Sequence, residues 1–499
     1  MKTKQWVSVI ATLALIKFGI QWVGNQNYGF HRDELLHLSV SEHLAWGYFE
    51  FPPMIAWIGK ISYLMFDYSL VGMRLFPTLA GIGILILCCL MAKEMGGRLH
   101  AILLAGVCVL AFVPFYRNHT LFQPVAFDQL FWTFGYFLLI KFFNSKHRKH
   151  LLMLGVIAGL GLLTKYTMAV WGFGIAAGLL FYNRAELFKS RWLYIAGGIT
   201  FIMVLPNLIW QIQYDIPFLL HLEVLNEKQL AGISPFEFGL AQLESPLTLA
   251  VSLIGMYALF QHESLQTYRP VGIAFLISFF TFWIMNAKAY YVFAAYPVLF
   301  AAGAVQIEMW LKHRPKWTYG VAAILFLPAI PFIPQATPLL PIETYVEFMD
   351  KDVNDEGRVE LTGDYADMFG WEEQVALVDS VYRSLLSEYG PEEIGIWAEN
   401  YGEAGAVKIL GDAYGLPDPI SRHGSFWLWG YGNKNASVWI SLGNEKKSVE
   451  YVFEDVQLVK IITHPYAIDE ENGIPLYICR DPKIDIDQWW QDYEKNVFD

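Results

Sequence analysis

Apolar residues occur in long runs through the first two thirds of this chain, and only short polar segments separate them. A helix needs about 20 predominantly apolar residues to cross the hydrocarbon core of a bilayer. The runs therefore predict about eleven membrane-spanning helices joined by short connections. They lie at roughly 6–24, 70–91, 99–115, 124–143, 150–163, 164–182, 193–210, 245–262, 271–287, 290–310 and 317–334.

The segment between the first two runs has a different pattern. Residues 25–69 are too many for a tight turn and too aromatic for a solvated loop. Residues 31–46 and 53–66 each read as an amphipathic helix, and Pro52-Pro53 separates them. Helices of this kind lie in the interface between lipid and water, so we expect two interfacial helices here. A second loop, roughly 211–244, has a similar character.

The polar and apolar positions change period near residue 340, where the pattern becomes that of a soluble α/β domain. Residues 371–388 carry apolar side chains at helical spacing. A second helix is predicted at 403–411, and short apolar runs predict strands at 394–398, 437–442, 456–462 and 476–479. We therefore expect a transmembrane domain over residues 1–335 and a soluble α/β domain over residues 336–499.

Composition and charge support this division. Hydrophobic residues make up 55% of the chain and charged residues 16%, whereas a soluble protein is about one quarter charged. Residues 1–334 hold 23 Lys and Arg against 15 Asp and Glu, while the remainder holds 12 against 32. Such an acidic tail would repel phosphates, which argues against nucleic acid as a partner.

The distribution of basic residues predicts the orientation. If the N-terminus is cytoplasmic, the inner loops collect Lys and Arg, among them Lys146, Arg148 and Lys149. An odd number of spans then places the acidic tail outside. The sequence therefore predicts a multi-pass protein of the cell (inner) membrane with an extracytoplasmic C-terminal domain.

Two acidic positions are candidates for catalysis on that outer face. Asp33 and Glu34 open the first interfacial helix, where a carboxylate can act as general base on a substrate held at the membrane surface. The alternative is that both only favour a helix N-terminus. Asp128 lies at the outer end of the fourth span, where a carboxylate is costly unless it is paired or faces a wet cavity. The alternative is an interface residue whose side chain reaches the headgroups.

Several cations share the expected outer face, where the positive-inside rule disfavours them. Lys288 occupies a short turn between two spans and is followed by Tyr290 and Tyr291, which can donate hydrogen bonds. Positioned cations stabilise charge that develops on a departing phosphate. The alternative for each is anchoring at lipid headgroups. Besides Lys288, the outer cations are Arg32, Arg74, Arg117 and Lys165.

The acidic tail offers weaker candidates. The loops 400–403 and 422–427 combine polar and aromatic residues, but His423 beside aromatic side chains is more often structural than catalytic. Asp485 and Asp487 form an Asp-x-Asp pattern that reads as solvated surface. The sequence contains no metal-ligand motif, and we assign no cofactor. Carboxylates alone do not decide whether a divalent metal is required, so that question stays open.

These residues resemble a known family. Asp33-Glu34, Trp46-Gly47-Tyr48 and Pro52-Pro53 are similar to the first outer loop of the protein-mannosyltransferase-like enzymes, the family-39 integral-membrane glycosyltransferases of GT-C type. Residues 159–166 and 288–291, with Tyr296-Pro297, resemble blocks of its bacterial members. The lipid A aminoarabinose transferase group belongs to the same wider family. The resemblance covers roughly residues 20–310.

The resemblance implies a GT-C type fold and an inverting transfer of sugar from a polyprenyl-phosphate donor to a lipid, glycan or protein acceptor, among membrane lipids. Asp33 would be the general base, with Glu34 beside it. Asp128 would be the second acidic position, although it follows Pro124 by four residues and not directly as in the most familiar pattern. Lys288 and Tyr291 would contact the donor phosphate, with Arg74, Arg117 and Lys165 as further cations.

Two other functions compete with this one. A transporter or flippase of lipid-linked sugars would place charges near the bilayer midplane, whereas here, apart from Lys17, they gather at the rim. A catalytically silent receptor would bind through its acidic tail. The sequence favours the membrane glycosyltransferase.

Overall fold

The chain folds into two compact units that both draw on distant parts of the sequence. The computed structural model describes residues 3–181, 185–230, 232, 234–355, 357–432 and 436–498. The helical unit comprises Met1–Asn25, Phe51–Met54 and Arg74–Leu339. The mixed unit comprises Gln26–Glu50, Ile55–Met73 and Leu340–Asp499. The first long loop thus belongs to the same unit as the C-terminal region, a grouping that the sequence pattern did not reveal.

Helices form most of the described chain. In chain order they are α1 (Thr3–Gly24), α2 (Arg32–Val40), α3 (Met54–Phe66), α4 (Leu70–Glu94), α5 (Leu99–Ala111), α6 (Pro114–Thr120), α7 (Pro124–Ser145), α8 (Arg148–Leu162), α9 (Thr167–Phe181), α10 (Arg191–Gln213), α11 (Pro217–Leu225), α12 (Pro235–Ala241), α13 (Pro246–Gln261), α14 (Arg269–Ile284), α15 (Tyr296–Trp310), α16 (Trp317–Phe326), α17 (Ile342–Phe348), α18 (Gly363–Ala366), α19 (Trp371–Leu385), α20 (Tyr401–Leu410), α21 (Lys446–Val452) and α22 (Ile486–Asp492).

The helical unit contains the membrane spans. Among the described residues, seven helices are long and apolar enough to cross a bilayer: Lys4–Gly24, Leu70–Glu94, Pro124–Ser145, Arg191–Gln213, Glu263–Ile284, Ala289–Trp310 and Trp317–Gln335. Two sharply bent pairs, α5 with α6 and α12 with α13, raise the number to nine if each pair is one span. The predicted fold class is confirmed, and the chain is a multi-pass membrane protein.

The difference from eleven predicted spans lies in α8 and α9. Each has 15 residues, which is shorter than the roughly 20 that a straight crossing needs. Both fall within predicted spans, and residue 182, at the end of the second, lies outside the described residues. The segment 164–166 separates these helices, as the pattern predicted.

Glycines let spanning helices approach closely. This is common in membranes, because lipid is as apolar as the helix surfaces and association depends on close van der Waals packing. A Cβ atom on Gly255 of α13 would lie 2.2 Å from the Leu299 carbonyl oxygen of α15. A Cβ on Gly303 of α15 would lie 2.2 Å from the Val251 carbonyl oxygen. Any side chain at either position would push the two helices apart.

The mixed unit contains a four-stranded sheet. Its strands are β1 (Ile394–Ala398), β2 (Val438–Leu442), β3 (Phe453–Ile462) and β4 (Ile474–Pro482), in the spatial order β1-β2-β4-β3. β1 and β2 are parallel, and β4 pairs antiparallel with both β2 and β3. β1 and β2 are buried throughout, whereas the edge strand β3 is largely exposed. The predicted α/β character of the C-terminal region is confirmed.

Within the same unit, α2 packs against α20. The predicted helix over 31–46 is shorter in the structure, because α2 ends at Val40. The hydroxyls of Ser39 and Ser41 donate to the carbonyls of Leu35 and Leu38, a local bonding pattern that competes with helix continuation. The second predicted helix, 53–66, is α3 with nearly the same limits.

Candidate active site

Asp128 lies near the N-terminus of α7 in the helical unit and is buried. Pro124 opens this helix, where its missing N–H costs nothing. Thr167, the first residue of α9, donates its hydroxyl to Asp128 Oδ2 at 2.9 Å. A buried carboxylate in a spanning helix needs such a partner, and this bond ties Asp128 to the segment that carries Lys165.

Lys165 and Arg117 meet on two tyrosine rings. The Lys165 ammonium lies 4.0 Å from the Tyr291 ring centroid and 5.2 Å from that of Tyr290. The Arg117 guanidinium lies 5.9 Å from the Tyr290 centroid, and it donates to Gln123 Oε1 at 3.0 Å. We call Arg117, Lys165, Tyr290 and Tyr291 the cation–tyrosine cluster. A cation over an aromatic face is attracted by the ring and keeps its full positive charge, so it still attracts an anion.

The members of the cluster are distant in sequence, and segments at the ends of different helices bring them together. Tyr290 and Tyr291 belong to a 3-10 helix, Ala289–Ala295, and their rings lie 4.9 Å apart and almost perpendicular. Lys165 precedes α9, and Arg117 lies on α6. Two connections between helices and the short helix α6 therefore contribute to one cluster. Lys165, Arg117 and Tyr291 were predicted as donor-binding residues from the sequence.

Lys288 occupies the N-cap position of that 3-10 helix. Asn286, two residues before Lys288, has a left-handed backbone with φ of 49°, and the Tyr291 N–H donates to the Lys288 carbonyl at 3.1 Å. His221 of α11 lies close enough to Lys288 for the lysine charge to affect its pKa. Burial lowers the pKa of His221 and the Lys288 charge lowers it further, to about 4. The predicted donor-binding residue thus faces a histidine that stays neutral at pH 7.

Arg74 has a fully buried side chain on α4. Its carbonyl accepts a hydrogen bond from Asn25 Nδ2 at 3.3 Å, and the same amide nitrogen donates to Thr78 at 3.0 Å. A buried guanidinium is costly unless polar or anionic groups satisfy it. These contacts place Arg74 beside the end of α1.

Asp33 and Glu34 lie in the first turn of α2, in the mixed unit. His31 is the N-cap: its Nδ1 accepts from the Asp33 N–H at 3.1 Å, and the His31 N–H donates to Glu34 Oε2 at 2.9 Å. This is a reciprocal capping box, with histidine in the place usually taken by serine or threonine. The structure therefore gives the buried Glu34 carboxylate a capping contact, while the Asp33 side chain points to a different partner.

That partner is Tyr401 at the start of α20. Its hydroxyl donates to Asp33 Oδ1 at 3.0 Å. The Arg32 guanidinium lies 5.7 Å from the Tyr401 ring centroid, and Arg32 Nε lies 3.3 Å from Asp367 Oδ1. His31 Nε2 lies 3.5 Å from the other Asp367 oxygen. We call His31, Arg32, Asp33, Asp367 and Tyr401 the Asp33 network.

The charges of this network keep Asp33 ionised. Burial raises the pKa of the Asp33 carboxyl, but the positive charges of His31, His37 and Arg32 and the Tyr401 hydrogen bond outweigh it, so the pKa lies below its usual value. For His31, burial lowers the pKa, yet the hydrogen bond to Asp364 and the nearby carboxylates leave it raised. A half-buried carboxylate that is ionised at neutral pH has the protonation state that a general base requires.

Sequence reasoning did not assign Tyr401 or Thr167 a role. Tyr401 lies in the 400–403 loop, whose mixed polar and aromatic residues were its one visible signal. Thr167 had none, because a single threonine at a helix start is commonplace. In the described part of the chain, no group of three or more His, Cys, Asp or Glu side chains is placed to hold a metal ion.

Comparison with known proteins agrees with the resemblance seen in the sequence. Residues 50–210 match the family described as dolichyl-phosphate-mannose-protein mannosyltransferase. The lipid A galacturonosyltransferase RgtD of Rhizobium johnstonii is 26% identical over 336 residues, which cover 63% of this chain and 66% of that protein. A protein of Aquifex aeolicus with no described function is 27% identical over 328 residues, 60% of this chain and 63% of that one. The alignments thus span at most 66% of the length of these curated relatives.

The fold has a solved counterpart. ArnT from Cupriavidus metallidurans, in a crystal structure bound to undecaprenyl phosphate, matches with a TM-score of 0.64 at 11% identity, over 95% of this chain and 98% of that one. Its apo state matches with a TM-score of 0.63 at 12% identity, over 96% of this chain and 98% of that one. The predicted GT-C type fold is confirmed.

Proposed function

We propose that this chain, a relative of the GT-C type membrane glycosyltransferases, transfers a sugar from a polyprenyl-phosphate donor to an acceptor in one inverting step. Asp33 removes the proton from an acceptor hydroxyl or amine as the acceptor attacks the anomeric carbon. The bond between the sugar and the phosphate oxygen breaks, and polyprenyl phosphate leaves with the negative charge.

The cation–tyrosine cluster is the observation that carries this proposal. Lys165 and Arg117 rest on the faces of Tyr290 and Tyr291 within a unit built of spanning helices. A lipid-linked phosphate needs positive groups at the depth where its chain enters the bilayer, and fixed cations there stabilise the charge of the leaving group. Lys288, Arg74 and the Tyr291 hydroxyl complete the proposed phosphate-binding set.

Asp128 has a supporting role in the proposal. Asp128 accepts a hydrogen bond from the Thr167 hydroxyl, and Thr167 lies two residues after Lys165. We propose that this buried carboxylate fixes the segment 165–167 and helps to place the donor or acceptor next to the bound phosphate. Glu34 would act on Asp33 through the capping box that starts α2.

The names of two similar proteins suggest which donor and acceptor to test first. RgtD is named as a lipid A galacturonosyltransferase, and ArnT was crystallised with undecaprenyl phosphate. We propose an undecaprenyl-type carrier and a lipid, glycan or protein acceptor, of which a lipid A-like glycolipid is the first to test. We also propose that the N-terminus is cytoplasmic and the C-terminal region extracytoplasmic. Fusing reporters to either end, and reading which compartment activates them, tests this orientation.

The direct test uses the purified protein in lipid nanodiscs. It is incubated with a panel of undecaprenyl-phosphate sugars and with lipid A, total glycolipid or peptide acceptors, and released undecaprenyl phosphate is measured by mass spectrometry. We expect release with at least one donor and matching glycosylation of one acceptor, both absent from Asp33→Asn. Transbilayer movement of the donor in vesicles, without release from any member of the panel, would contradict the proposal and favour a flippase.

A further inference from the structure

Tyr401 joins the C-terminal region to the proposed catalytic carboxylate. It is the first residue of α20, and its hydroxyl donates to Asp33 Oδ1 at 3.0 Å although the two residues are 368 positions apart. The bond holds one carboxylate oxygen of Asp33 in a fixed direction. A second oxygen, Oδ2, then has a defined direction in which to receive a proton.

The start of α20 is itself held in place. Asn400 is the N-cap, and its side-chain oxygen accepts from the N–H groups of Gly402 and Glu403 at 2.8 and 3.1 Å. The Asn400 amide also donates to Glu471 Oε1 at 2.9 Å. A capped helix end with both side-chain groups bonded leaves the Tyr401 backbone little freedom.

Close packing against α2 fixes the distance between the two helices. A Cβ on Gly402 would lie 2.7 Å from Arg32 Cγ, and a Cβ on Gly405 would lie 2.8 Å from Leu35 Cβ. Two absent side chains therefore let α20 approach α2 until the Tyr401 hydroxyl reaches Asp33. The ring is held from the side by His423, whose ring centroid lies 5.1 Å away in an edge-on arrangement.

We infer that Tyr401 is a positioning residue for the general base, so that the C-terminal region takes part in catalysis by orienting Asp33. The inference rests on the function proposed above. A hydrogen bond donated to the ionised carboxylate fixes its orientation and favours its charged form.

Other charged groups also face Asp33, and they set the background for any pH effect. His31, Arg32 and His37 face it from α2 and its cap, and Asp367 faces it from the segment after α18. Removing only the Tyr401 hydroxyl leaves each of these charged groups in the chain, so the variant separates the loss of the hydrogen bond from a loss of charge. Removing the donor moves the pKa of Asp33 upward, and the acid limb of the rate profile moves to higher pH with it.

The experiment compares wild type, Tyr401→Phe and Tyr477→Phe in the undecaprenyl phosphate release assay from pH 5 to pH 9. Tyr477 is a buried tyrosine of β4 in the same unit, so its variant controls for the loss of a hydroxyl from the domain. For Tyr401→Phe we expect kcat to fall roughly tenfold with little change in KM for the donor, and the acid limb of kcat/KM to shift to higher pH. We expect Tyr477→Phe to match wild type.

The outcomes separate the inference from the proposed function. A Tyr401→Phe variant with wild-type kcat and an unshifted acid limb would overturn the positioning role, even with Asp33→Asn inactive. A fall in rate without a pH shift, together with a lower melting temperature, would make Tyr401 merely structural and would also overturn it. No release by wild type or by Tyr477→Phe would instead overturn the proposed function and the inference together.

Discussion

The cation–tyrosine cluster and the Asp33 network both hold charged side chains, but they satisfy them in opposite ways. In the helical unit, Lys165 and Arg117 lie against the faces of Tyr290 and Tyr291. In the mixed unit, Arg32 pairs with Asp367 and also with Glu470, whose Oε2 lies 2.6 Å from Arg32 Nη1. In the first region the cations pack on aromatic rings, whereas in the second Arg32 also forms ion pairs with two carboxylates.

This difference indicates which substrate group each region suits. An aromatic face stabilises a cation only modestly, so a phosphate that reaches Lys165 adds a stronger attraction than the ring supplies. In the Asp33 network the carboxylates would repel a phosphate, whereas the fixed positive charges favour an ionised Asp33. We therefore expect variants of the first cluster to change donor binding and variants of the second to change the chemical step.

The largest effect is expected for Asp33→Asn. The amide keeps the size of the side chain but does not accept the acceptor's proton, and a general base typically contributes about 10²–10⁴ in rate. We expect kcat to fall roughly 1000-fold, measured as undecaprenyl phosphate release, with little change in melting temperature. Asp469→Asn, at an exposed carboxylate that pairs with Arg358 in the same unit, should keep wild-type activity. An Asp33→Asn variant within tenfold of wild type would remove Asp33 from the base role.

Lys165→Ala comes next. Losing a cation that contacts the phosphate should lower kcat/KM for the donor roughly 100-fold, mainly through KM. Lys93→Ala is the matched control, because the Lys93 ammonium also lies 4.0 Å from an aromatic centroid, that of Trp6, in the same unit. Equal losses in the two variants would mean that removing any ring-bound lysine perturbs the unit, and the phosphate role of Lys165 would fall.

Gly405→Ala tests the contact between α2 and α20 through stability. The added Cβ would lie 2.8 Å from Leu35 Cβ and 3.0 Å from the Leu35 carbonyl carbon, so backbone has to shift. Such overpacking costs about 1–3 kcal/mol, and the apparent melting temperature should fall. Gly363→Ala is the control, because a Cβ there meets nothing within 4 Å. If Gly405→Ala and Gly363→Ala both have the melting temperature of wild type, the close packing of α20 on α2 is contradicted.

The smallest effect is a pH dependence of stability at His31. Its pKa is raised, because its bond to Asp364 and the charges of Asp33 and Asp367 outweigh burial. The charge-dependent stabilisation is therefore complete below the ordinary imidazole pKa, about 6.5, and is lost as pH rises through the raised value. Protonation also places a hydrogen on Nδ1, so the charged ring gives up the bond that it accepts from the Asp33 N–H, and the net gain is small. His31→Asn keeps an N-cap but no ionisable ring.

We expect His31→Asn to melt roughly 2 °C below wild type at pH 6. The gap should shrink by pH 9, where the wild-type imidazole has also lost its proton. Thermal unfolding followed by tryptophan fluorescence at both pH values measures it. A gap that is wider at pH 9 than at pH 6 would show that the positive charge of His31 does not stabilise the network.

The elements of the fold were predictable because their patterns are local. The strand predicted at 394–398 is β1 with the same limits, and each of the eleven predicted spans overlaps at least one helix within its described residues. The end of α2 was missed because Ser39 and Ser41 divert their hydroxyls to the backbone, which a hydrophobic pattern does not register. Length alone also did not reveal that α8 and α9 stop at 15 residues.

The candidate site was predictable in its residue types but not in its partnerships. Lys165, Arg117 and Tyr291 stand out in sequence because cations at an expected outer rim require a reason. That Lys165 lies on Tyr291, or that Tyr401 bonds to Asp33, depends on packing between segments more than 100 residues apart. Glu34 shows what the sequence alone does not reveal. It is adjacent to Asp33 in sequence, but in the structure its carboxylate accepts a capping hydrogen bond from the His31 N–H.

Equilibrium binding of radiolabelled undecaprenyl phosphate to the purified protein in nanodiscs tests the division of roles between the two regions most directly. Wild type, Asp33→Asn and Lys165→Ala are compared at neutral pH. We predict that Asp33→Asn binds the carrier as tightly as wild type although it does not turn over the donor, while Lys165→Ala binds at least tenfold more weakly. Tight binding by Lys165→Ala together with weak binding by Asp33→Asn would contradict the account.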